Sequence, residues 1–220
     1  HRDLHSFPTR RSSDLADGNP SNDAEAESFL ERVVSGAVGG PESVQFTAAL
    51  RELGRLRYAK GDFAGAIGLL NEAAMRQTNG GSGSGGEGAT EGDVAVRLRF
   101  ELAEAMRQDA KAIDRTLMEA MPDSRRQSLV EARRERLARA ADLYEDVKRA
   151  LEARGKESGR GGGLTELERL YLRNSWFLRA DCEFELGNYE AAIRQYDAAR
   201  EKYSADPASL VGMIQIVNAY

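Results

Sequence analysis

Two stretches of this chain, far apart in sequence, are versions of each other. Tyr58-Ala59-Lys60-Gly61-Asp62-Phe63-Ala64-Gly65-Ala66-Ile67 aligns without a gap onto Phe184-Glu185-Leu186-Gly187-Asn188-Tyr189-Glu190-Ala191-Ala192-Ile193. Extending outward pairs Leu50 with Trp176, Gly54 with Ala180, Leu70 with Tyr196 and Ala73 with Ala199. In each copy, apolar residues recur at helical spacing on both sides of a glycine, as two amphipathic helices joined by a tight turn require. A lone hairpin of this kind cannot bury its apolar face, so the pattern calls for a stack in which neighbours supply the core.

The punctuation elsewhere agrees. Residues 23–34 carry Phe29, Leu30, Val33 and Val34 on one face and stop at Gly36. Pro41 suits the first turn of a helix bearing Val44, Leu50, Leu53 and Leu56. Residues 94–121 read as a long helix ending before Pro122, and Ser124-x-x-Gln127 as a capping box for a helix over 124–154. Thr165-x-x-Glu168 is a second capping box, opening a helix through Leu186; residues 189–203 follow, and Pro207 precedes the last segment. The expectation is an all-α chain with roughly 65–75% helix and no sheet.

Glycine-rich breaks divide it. The expected organisation is a non-native disordered tail (1–22), a truncated helix plus first hairpin (23–78), and a Gly/Ser-rich linker (79–93). A long degenerate hairpin (94–154), a Gly-rich loop (155–163), a second clear hairpin (164–207) and the first helix of a truncated further unit (208–220) complete it. The stretch from His5 to Leu15 resembles translated sequencing-adaptor read-through; a natural disordered arm using Arg10-Arg11 is the alternative. On the first reading the native N-terminus is missing, and bacterial cytoplasm and cell envelope both stay open.

Scarce residues narrow the chemistry. The two histidines, His1 and His5, lie in the tail, so the rest of the chain has no imidazole for a Ser-His-Asp triad, a His base or a His-bearing zinc site. Cys182 is the single cysteine. Gly81-x-Gly83-x-x-Gly86 matches a dinucleotide fingerprint in letters but follows a helical run rather than a strand. Gly155-Lys156 lacks the other parts of a phosphate loop. No catalytic residue, cofactor or metal is expected. The net charge of −5 gives no general reason to bind nucleic acid, and the apolar run 210–214 is too short to span a bilayer.

The repeat resembles the tetratricopeptide repeat, a helix–turn–helix unit of about 34 residues. Its marks stand at Leu50, Leu53, Gly54, Gly61, Phe63, Ala66, Leu70 and Ala73, and again at Trp176, Ala180, Gly187, Tyr189, Ala192, Tyr196 and Ala199. Met213, Val217, Ala219 and Tyr220 follow Trp176, Ala180, Cys182 and Glu183 at one constant interval, in the style of longer repeats of bacterial envelope proteins. Ala26, Leu30 and Val33 fit the second helix of an earlier unit. Leu137, Ala140, Tyr144 and Val147 fit that of a degenerate middle unit, with residues 100–106 in its first helix.

The resemblance implies a right-handed α-solenoid that acts as a protein–protein interaction scaffold and performs no catalysis. It further implies that first-helix side chains line a concave groove holding a protein or peptide partner. Those slots fall on Arg51, Arg55, Tyr58, Asn174, Phe177, Asp181, Phe184, Ile214 and Asn218, with Phe177 as an exposed apolar anchor. The alternative for Phe177, Phe184 and Ile214 is packing against a neighbouring helix. Two other functions remain open. The segment is then the docking or regulatory arm of an enzyme, or it binds RNA or anions through the basic cluster Arg125, Arg126, Arg133, Arg134, Arg136 and Arg139. Against that cluster stands its pairing with nearby acids as an ordinary solvated face. Cys182 takes a small-residue slot and reads as a buried structural thiol. Asp109–Asp114 and Asp142–Glu145–Asp146 read as helix surface.

Overall fold

A computed structural model describes residues 20–38, 40–79, 91–157 and 163–220. Residues 1–19 of the expected tail, most of the linker and the middle of the Gly-rich loop lie outside the described residues. All regular structure among the described residues is helical: α1 (Pro20–Val34), α2 (Val44–Ala59), α3 (Phe63–Asn79), α4 (Glu91–Leu117), α5 (Asp123–Glu157), α6 (Glu166–Glu185), α7 (Tyr189–Lys202) and α8 (Ala208–Ala219). The helices form two compact units, α1–α3 and α4–α8, and in each unit every helix packs on the next. In the second unit α6 also touches α4 and α8.

The two matched turns have the same construction. Gly61 and Gly187 adopt φ of 79° and 80°, a left-handed conformation that costs an L side chain about 1–2 kcal/mol. Their amides donate to Tyr58 and Phe184 carbonyls, both at 2.9 Å, and the next amides, of Asp62 and Asn188, donate to Arg57 and Glu183, both at 2.9 Å. These bonds satisfy carbonyls that the ending helix leaves orphaned. Tyr58 meets Phe63 edge-on at 5.4 Å and 65°, and Phe184 meets Tyr189 at 5.4 Å and 66°.

Packing follows the repeat marks. Leu50, Leu53, Ala66, Leu70 and Ala73 form the α2–α3 interior, and a Cβ on Gly54 would lie 2.9 Å from the Leu70 side chain. Phe177, Ala180, Ala192, Tyr196 and Ala199 form its α6–α7 counterpart. In the middle, Phe100 of α4 stacks on Tyr171 at 4.5 Å and meets Tyr144 edge-on at 5.6 Å, joining three helices. Trp176 of α6 lies beneath Lys148 of α5 and Lys202 of α7, at 4.3 and 4.8 Å from the ring.

Several helix boundaries differ from the sequence reading: α1 begins at Pro20 and α4 at Glu91, inside the expected tail and linker, and α5 runs on to Glu157, into the expected Gly-rich loop. Pro41 precedes α2 rather than opening it; Ser43 is the N-cap, its Oγ accepting the Phe46 amide at 3.2 Å. The capping box at Ser124 does not form, because α5 starts at Asp123 and Ser124 already lies in its first turn. Its carbonyl accepts from the Ser128 hydroxyl, and Asp123 supplies the negative charge that a helix N-terminus favours. Helix α4 ends at Leu117, short of Met121, where the Arg126 guanidinium donates to the Leu117 and Glu119 carbonyls. The box at Thr165 does form: Thr165 Oγ1 accepts from the Glu168 amide, and Glu168 accepts from the Thr165 amide.

Candidate functional site

The nine expected groove residues fall in both units. On α2, Arg51, Arg55 and Tyr58 share one face and are all half-buried; Arg55 pairs with Glu52 and Tyr58 with Phe63. On α6, Asn174 and Phe177 are buried, which corrects their reading as exposed recognition side chains. Asn174 turns its amide oxygen to the Arg173 guanidinium at 2.9 and 3.1 Å. Phe177 is 2% exposed because α8 closes over it, with Gly212 and Tyr203 against its ring. Helix α8 is thus the neighbour that the alternative reading of Phe177 required.

Phe184 is half-buried beside Tyr189, and Asp181 accepts a hydrogen bond from the Tyr196 hydroxyl. Ile214 is 61% exposed, and exposed Asn218 donates to Gln215. Structure therefore brings Asp181 into the α6–α7 packing and leaves Ile214 and Asn218 on an open face of α8.

The most concentrated polar arrangement was not singled out from the sequence. On α4, Glu104 and Arg107 are 1% and 3% exposed. Arg107 holds Glu104 with a two-pronged contact, Nη2 to Oε1 at 2.8 Å and Nε to Oε2 at 3.2 Å. Gln108 Nε2 donates to Oε1 and the buried Tyr144 hydroxyl of α5 to Oε2, both at 2.8 Å. Burial opposes the charge on Glu104, but Arg107 and these donors outweigh it and hold the carboxyl below its ordinary pKa.

Across the seam, α6 contributes Asp181, Cys182 and Glu185. Burial pushes the Glu185 carboxyl up against the opposing pull of Arg107, Lys111 and Arg133, and also pushes up the Cys182 thiol. Cys182 is fully buried, which makes it inert packing rather than a nucleophile. The seam can bind charge and fix helix register. Its rim, formed by half-buried Gln108, Lys111, Asp181 and Glu185, faces between the first helices of two successive hairpins. Among the described residues, no group of three or more His, Cys, Asp or Glu side chains is placed to hold a metal ion. No described helix is long and apolar enough to cross a membrane.

The opposite pKa shifts give a test. Glu185 binds its proton more tightly when folded, so its contribution is favourable at low pH. That contribution is lost as pH rises past the ordinary carboxylate value towards the raised one. Glu104 has the opposite sign: its contribution is present at neutral pH and lost as pH falls through its lowered value. Glu185→Gln should therefore gain urea stability relative to wild type as pH is raised from about 4 to about 8. A parallel pH dependence in the two proteins would contradict this assignment.

Half of the basic cluster is committed to the fold. Arg133 pairs with Asp114 at 2.6 Å and donates to the Glu185 carbonyl at the C-terminus of α6; Arg136 pairs with Asp109 at 3.0 Å. With Arg126 capping α4, half of the six arginines tie α5 to its neighbours. Comparison with known protein families and with curated proteins gives no match to this chain.

Proposed function

We propose that this chain is a protein–protein interaction scaffold of tetratricopeptide type, binding a peptide or protein partner along the first helices of its hairpins. The observation that carries the reading is the identity of the two hairpin turns: two glycines at φ 79° and 80°, and two aromatic pairs at 5.4 Å crossing at 65° and 66°. Two sequence-distant turns built alike, with matching aromatic pairs, support reading the hairpins as units of a repeat, and stacked repeats present extended surfaces suited to recognition. Within the second unit, the α4–α6 rim offers both charges side by side. A partner that recognises it would carry paired acidic and basic groups rather than an anion alone.

The test is selection of peptides from a random displayed library on the intact chain. Enriched peptides should share a pattern with both signs of charge, and Lys111→Glu should weaken the binding of those held by the second unit at least tenfold. Failure to enrich any pattern, or equal binding by wild type and Lys111→Glu, would overturn the reading.

A further inference from the structure

We draw no further inference here: the strongest candidate, the Asp181–Glu185 carboxyl pair beside Phe184 at the C-terminal end of α6, belongs to the α4–α6 rim already described, and nothing in the structure shows what covers it.

Discussion

Arg107→Met is expected to destabilise the α4–α8 unit by about 3–5 kcal/mol, because it leaves a buried carboxylate without its counter-charge. Glu104 accepts from Arg107, Gln108 and Tyr144, and Arg107 carries the only positive charge among those donors. Water cannot replace it at a side chain that is 1% exposed. Domains are stable by about 5–15 kcal/mol, so the change removes a large share of what holds the unit together. Urea unfolding followed by helical circular dichroism should show its transition moving to lower denaturant. The pair Glu104→Gln with Arg107→Met should recover much of the loss, since it removes the stranded charge along with its partner. If Arg107→Met alone unfolds like wild type, the network of Glu104, Arg107 and Tyr144 is not the tie between α4 and α5 that its geometry implies.

Tyr196→Ala should be comparably damaging, at about 3–5 kcal/mol for loss of a buried aromatic ring. The ring is 1% exposed, packs with Phe177 and Ala180, and lies 3.6 Å from where a Cβ on Gly212 would stand. It therefore supports both the α6–α7 hairpin and the seating of α8. Tyr196→Phe keeps the ring and removes only the hydroxyl that Asp181 accepts. Asp181 is half-exposed and can turn to water, so that change should cost only about 1 kcal/mol. Equal losses in the two variants would place the energy in the hydrogen bond rather than in packing.

The hairpins were legible because their determinants are local. Gly61 and Gly187 sit where the backbone turns left-handed, and the small residues Gly54 and Ala180 sit at close helix approaches. The burial of Phe177 was not legible, because it depends on α8 folding back over α6, a contact that no periodicity within α6 encodes. Glu104-x-x-Arg107 was missed for a related reason: in letters it is an ordinary i, i+3 pair, like many on exposed helices. The available signal was its setting, since Leu98, Phe100, Leu102, Ala103, Ala105 and Met106 place apolar groups all round this part of α4, and all six are buried. A helix apolar on every side is an interior helix, and charges on it must find partners there.

The indole beneath Lys148 and Lys202 makes the two units spectroscopically unequal. Trp176 is the single tryptophan of the chain, and its ring lies at the junction of α5, α6 and α7. Its Nε1 is buried with no hydrogen-bond partner among the described residues. Intrinsic fluorescence excited at the indole band therefore reports on the α4–α8 unit alone, and its emission should shift to the red when that unit opens to water. Melting of α1–α3 leaves this signal silent while reducing the peptide-band ellipticity. One sample followed by both probes separates the opening of the α4–α8 unit from loss of helix elsewhere, without cutting the chain or adding a label.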